Sequence, residues 1–271
     1  FSISPSILCV ASPVLISCFN TSSNCAPKKM EMIAGGITTC VEFNSYYPVE
    51  MAELLGECGM RGYIAPETNS LEGYPYTPDG KTVVIEHKSG SDMFRKLERN
   101  IALIERFNGT YDDRVRVTLG PTEPPACRPD LLREVRRANE TYHVPITMHA
   151  AETKIEREYI RNEYGVDSIE LLAENGLVGP DVILAHTVYA SDREKEIMAE
   201  TGTNVAHCPK VFLGTGQYMR SLQSYTDLGI NVGIGTDSFP QDMLHEMRLA
   251  GAMSRVADGD FRSAPSGPGP E

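Results

Sequence analysis

Short apolar runs separated by longer stretches of helical spacing dominate the middle of the chain. The runs are Ile37–Asn44, Gly62–Asn69, Val115–Thr122, Val144–Thr153, Asp181–Tyr189, Asn204–Lys210 and Asn231–Ser238. Several are apolar at successive rather than alternate positions, as a parallel strand covered on both faces requires. Between them, Asp92–Phe107, Asp130–Asn139, Asp192–Glu200 and Met219–Asp227 repeat their apolar residues with the helical period. Gly202 and Gly229 stand where helices would hand over to strands. Seven strands alternating with helices predict an α/β fold, a (β/α)8 TIM-type barrel one strand short of closure. Lys29–Gly35 reads as the end of a helix whose preceding strand is absent. Long connections at Asn69–Lys88 and Lys154–Asp181 follow C-terminal strand ends, the face on which such a barrel carries its chemistry.

The two ends depart from this pattern. Nothing from Phe1 to Pro27 is charged, and the stretch is rich in Ser, Pro and Cys with no usable period. As a secretory signal it lacks a basic start, and Pro5 and Pro13 interrupt its apolar part. Residues 1–28 are therefore expected to be a disordered leader outside the fold, 29–256 the barrel, and the Pro/Gly/Ser-rich 257–271 a disordered tail. Within 271 residues, 25 basic side chains face 37 acidic ones, a net charge of −12 that argues against a nucleic-acid partner. No run approaches the roughly 18 apolar residues that a membrane span needs, so no membrane partner is expected. The 7 cysteines contain no C-x-x-C pair and read as reduced thiols, which points to a cytoplasmic protein.

Of 6 histidines, His149, His186 and His207 lie at or beside C-terminal strand ends, and Asp237 closes the last strand in the same way. Barrel topology brings such ends to one mouth, where imidazoles and a carboxylate suit a transition-metal ion. A single histidine at a strand end is more often structural, so the joint pattern carries the expectation. Glu152, three residues after His149, can face the same site as a general acid or base, against the plainer reading of an acid in a first helical turn. His207 precedes a Gly-containing loop that could close over substrate, but Gly214-Thr-Gly216 is a poor phosphate cradle. His245 falls off the apolar stripe of its helix and reads as surface, and His87 and His143 read as structural. Cys208, beside His207, is a weak candidate nucleophile because no orienting group accompanies it.

The series Met148-HAAE-Thr153, Leu184-AHT-Val188, Val205-AHC-Pro209 and Gly233-IGT-Asp237, followed by MLHEMRLA, resembles the amidohydrolase superfamily. Within it the resemblance is to the cytosine-deaminase-like and chlorohydrolase branch, and it runs from about Met30 to Met253. It implies a metal-dependent hydrolase of non-peptide C–N bonds, deaminating a heterocyclic amine, with one divalent metal, Zn or Fe. His149 and Asp237 would be metal ligands, His186 would touch the metal or the attacking water, and Glu152 would shuttle the proton. Asp237 would also accept a proton, and His207 would border the substrate. By analogy with related barrels, a homo-oligomer is expected.

The departures are as informative. The family's first strand ends in a His-x-His pair, and no His-x-His exists in this chain. The small β-sandwich of the family is also missing, so the chain reads as truncated at both ends. Leu119–Asp130 lacks the His that adenosine-analogue deaminases of this branch tend to carry, which favours a compact ring amine over a nucleoside. Two alternatives stay open: a catalytically inactive barrel fragment derived from such a hydrolase, and a metal-independent lyase. The second would need a desolvated strand-end Lys, whereas Lys154 and Lys210 sit just beyond strands in polar loops.

Overall fold

The computed structural model describes residues 14–17 and 31–254, apart from 74, 77, 79–82, 215, 220, 221 and 239. Parallel strands β1 (Val14–Ser17), β2 (Thr39–Ser45), β3 (Arg61–Pro66) and β4 (Val115–Val117) form one sheet in that order. A second holds β5 (Ile146–Ala150), β6 (Val182–His186), β7 (Asn204–His207) and β8 (Val232–Ile234), also in chain order. The parallel bridge Leu119↔Ile146 joins them, so the strands follow one another as in a (β/α)8 barrel, with β1 and β8 as the outer strands. Each of the seven apolar runs coincides with one of β2 to β8, with β2 and β3 each overhanging its run by one residue.

Helices cover the outer face: α1 (Pro48–Glu57), α2 (Arg95–Phe107), α3 (Pro129–Tyr142), α4 (Lys154–Tyr164), α5 (Ser168–Glu174), α6 (Asp192–Thr201), α7 (Pro209–Gly214), α8 (Leu222–Asp227) and α9 (Met243–Met253). Strand alternation divides the core between two faces. Cys40, Ile64, Leu184 and Val205 pack in a cluster with the helical residues Leu55, Leu97, Leu131 and Met198. The intervening positions Val41, Phe43, Ala65, Ala185 and Ala206 form a second cluster, joined at its edge by the strand residues Tyr63 and Ile183 and by no helical residue, which marks the barrel interior. Its three alanines keep that interior narrow.

Two sequence expectations change. The leader is not wholly outside the fold: Val14–Ser17 pairs with Cys40–Phe43 along four positions, taking the strand place that the seven-strand reading left open. Four residues are too few for a period to register. The remainder of 1–28, and all of 257–271, lie outside the described residues. The long connection Lys154–Asp181 also holds two helices, α4 and α5. Thr153 accepts a hydrogen bond from Glu156 N at the start of α4, and Asp167 with Glu170 forms a capping box for α5.

Candidate active site

Four of the five candidate side chains issue from the C-terminal ends of β5, β6 and β7 or just beyond them, and Asp237 follows β8. The backbone bends sharply at these points. Ala151, His186, Thr187 and Asp237 all have φ between +48° and +74°, a region that costs non-glycine residues of order 1 kcal/mol or more and clusters at functional sites. At Ala151 the compensation is visible. The buried Glu156 carboxylate, from the first turn of α4, accepts the N–H groups of Ala151 (2.8 Å) and Glu152 (2.7 Å), which pins the turn that aims Glu152.

His149, Glu152 and His186 are brought together: one ligand atom from each lies within 4.8 Å of the other two. The His149 and His186 rings stack with centroids 5.1 Å apart and planes inclined by 8°. Phe43 meets His149 edge-on at 4.3 Å, and Phe212 meets His186 at 4.8 Å, so the pair is fixed between two aromatic rings. His149 Nδ1 lies 3.0 Å from the Thr122 carbonyl oxygen. A carbonyl can only accept, so Nδ1 carries the proton and Nε2 keeps its lone pair, the tautomer a metal-ligating histidine needs. His186 Nδ1 and His207 Nδ1 are buried without a hydrogen-bond partner, and orphaned buried acceptors of this kind call for a ligand.

Electrostatics separate the roles. Burial holds the His149 and His207 imidazoles down at about 4, and burial followed by the neighbouring imidazoles holds His186 well below its ordinary range. All three are therefore neutral at pH 7, the form that binds a cation. Burial, then the charges of Glu123, Glu156 and Asp237, pushes the Glu152 carboxyl up to about 8. Asp237 is pushed up to about 6 by burial, with Lys210 pulling the other way and Glu246 adding to the rise. Asp237 thus lies near enough for its charge to raise Glu152 but stands outside the three-donor group among the described residues. His207 is also outside that group.

Several residues matter here in roles that the sequence did not signal. Glu123, on the loop after β4, is raised to about 7 by burial and by Glu156. Lys210, one helical position after Pro209, reaches the backbone oxygens of Ser238 and Pro240 (both 2.8 Å) and the wholly buried Glu246 of α9 (3.3 Å), tethering the loop that follows Asp237. Cys208 is buried and its thiol is pushed well above the ordinary thiol value, which disposes of the nucleophile reading. His245 is exposed, as expected. His87 binds Ser70 Oγ at 2.8 Å, while its Nε2 is buried and unpartnered. No helix of the described residues is long and apolar enough to cross a membrane.

Comparison with known proteins follows this geometry. A 5-methylthioadenosine/S-adenosylhomocysteine deaminase of Pyrococcus furiosus is 32% identical over 234 residues, covering 84% of this chain and 51% of the relative. An adenosine deaminase of Xanthomonas campestris with bound zinc superposes with a TM-score of 0.75 at 22% identity, over 89% of this chain and 52% of that one. Atrazine chlorohydrolase of Arthrobacter aurescens, complexed with zinc, does so with a TM-score of 0.74 at 24% identity, over 88% and 54%. At these identities the two structures speak for the fold alone. The chain spans about half the length of the curated relatives it matches. The preference for a compact ring amine gains nothing from the archaeal relative, which is by name a deaminase of nucleoside compounds. The amidohydrolase family model matches residues 29–264, and the chain belongs to the amidohydrolase family.

Proposed function

We propose that this chain removes an amino group from an N-heterocycle by hydrolysis, releasing ammonia, with His149, His186 and Asp237 holding a divalent cation. The observation that carries the reading is the convergence of His149, Glu152 and His186 within 4.8 Å at the barrel mouth. Two neutral imidazoles and a carboxylate fit zinc or iron(II), and the unpartnered His186 Nδ1 and the fixed His149 tautomer supply the lone pairs. Bound there, the cation would lower the pKa of water from 15.7 towards about 7 and so make hydroxide available.

The chain's own residues account for the proton movements. Asp237, ionised above about 6, accepts a proton from the attacking water. Glu152, protonated up to about 8, donates to the ring nitrogen; the proton taken by Asp237 passes to the amino group, which leaves as ammonia, and the hydroxyl of the collapsing adduct returns a proton to Glu152. The oxygen of water ends on the ring carbon and the nitrogen leaves with its hydrogens, so no further reactant is needed. The identity of the relative favours an aminopurine nucleoside as the substrate class.

A second reading, an inactive barrel of the same descent, is favoured by β1. Its Val-Leu-Ile-Ser sequence offers no imidazole or carboxylate. One experiment separates the two: divalent metal per folded chain by mass spectrometry, followed by ammonia release from aminopurines. Active enzyme should hold about one ion, and Glu152→Gln should keep the ion while losing about 10²–10⁴-fold in rate. Metal near zero in folded protein, with no ammonia, sinks the deaminase reading.

A further inference from the structure

A cavity of about 640 Å³ stands apart from the three-donor group, and His149, Glu152 and His186 take no part in its lining. Its size falls within the roughly 300–1,000 Å³ of small-molecule pockets. The wall comes from the first turns of α4 and α6, the loop from β6 to α6, and the segment that leads into α8. Bonds that occupy the polar atoms of two tyrosines hold this wall in place. Tyr225 Oη donates to the Thr187 carbonyl at 2.5 Å. Tyr189 Oη donates to Gln217 Oε1 at 2.8 Å, and its backbone N–H donates to the Ala151 carbonyl at 2.8 Å. Each ring is overhung by an ammonium: Lys154 Nζ stands 5.9 Å from the centre of Tyr189, and Lys195 Nζ 5.4 Å from that of Tyr225.

In a chain of net charge −12, this wall carries three cations, Lys154, Arg157 and Lys195, against one carboxylate. That carboxylate, Asp192, pairs with Lys195 at 3.1 Å, yet its side chain is 97% exposed and that of Lys195 only 14%, so water screens the acid far more than the cation. Arg157 shares the single carboxylate of Asp167 with Arg161, which leaves one charge of those three unmatched. Lys154 has no carboxylate partner among the described residues. A carboxylate would neutralise half of the resulting surplus of two positive charges, whereas a phosphomonoester, with close to two negative charges at pH 7, cancels it.

We propose that this cavity is a second ligand site, for a small phosphomonoester carried on a flat ring, with Lys154 and Lys195 holding the phosphate and Tyr189 packing against the ring. Such a site needs neither the metal nor the deaminase chemistry. It gives the protein a response to a phosphorylated compound that is not its substrate.

The test is calorimetric titration of the full chain with phenyl phosphate, in a chelator that keeps the three-donor group free of metal. One site is expected. Benzoate, with the ring but a single charge, and inorganic phosphate, with the charge but no ring, should each bind about tenfold more weakly. Lys154→Met and Lys195→Met should each weaken phenyl phosphate about tenfold. Circular dichroism of Lys154→Met should match the parent, since Lys154 is exposed. Benzoate or inorganic phosphate binding as tightly as phenyl phosphate, an unchanged affinity in either folded variant, or no binding of phenyl phosphate overturns the assignment. Failure to release ammonia from aminopurines overturns the deaminase reading alone and leaves this site standing.

Discussion

Replacing Glu152 by Gln should stabilise the metal-free protein at pH 8 and do almost nothing near pH 4. The folded protein holds the Glu152 proton up to about 8, against an ordinary value of 4.5. Because the folded value lies above the unfolded one, the favourable contribution is complete below about 4.5 and is lost as pH rises through about 8. The full separation is worth about 5 kcal/mol, and about 3 kcal/mol of it has been lost by pH 7. Glu123, raised to about 7 and close enough for its charge to raise Glu152, ionises over the same interval and moderates the gain. The expected advantage of Glu152→Gln is therefore about 1–3 kcal/mol at pH 7. Gln reproduces the shape and hydrogen-bonding capacity of the protonated carboxyl, so no cavity confuses the comparison. Urea unfolding in the presence of a chelator, followed by circular dichroism near pH 5, 7 and 8.5, reads the difference directly. A gap between variant and parent that stays constant across these pH values, or that favours the parent as pH rises, refutes the electrostatic account.

Two further outcomes are expected. Zinc binding near pH 7 should release few protons, because His149 and His207 are already neutral above about 4, Asp237 is ionised above about 6, and Glu152, which is not a ligand, keeps its proton up to about 8. Calorimetry in buffers of different ionisation enthalpy counts them, and Glu152→Gln should leave the count unchanged. Lys210→Met should cost about 3–5 kcal/mol in urea unfolding by leaving Glu246 buried without its cation, and Lys210→Met with Glu246→Leu should recover much of that loss; equal losses in the single and double variants would show that the pair does no bracing.

The strand places and the order of the chemical residues were legible because both are local. Seven apolar runs are long enough to show burial on two faces, and His149, His186, His207 and Asp237 each follow one of them. β1 was not legible, because Val14–Ser17 is four residues inside a Ser/Pro/Cys-rich stretch, and only its pairing with β2 defines it. The helices α4 and α5 had readable starts in Thr153 and Asp167 that the density of charge between them obscured. Glu123, Lys210 and Glu246 owe their importance to what surrounds them in three dimensions. A solvent-facing glutamate and a desolvated one are spelled the same way. The sequence order also suggested Asp237 as an equal member of the donor group, whereas the fold brings His149, Glu152 and His186 closest.

All five candidate side chains come from the half of the chain that builds β5 to β8, yet His149 is locked by the other half. The Thr122 carbonyl beyond β4 accepts from both the backbone N–H (3.1 Å) and the ring Nδ1 (3.0 Å) of His149, and the same seam is stitched by Leu119 N to Pro145 O and Thr147 N to Leu119 O, each 2.9 Å. Parting the halves would therefore free the imidazole to rotate and exchange tautomers before any donor residue moved apart. In this barrel, the integrity of the seam and the readiness of His149 to bind an ion are one and the same variable.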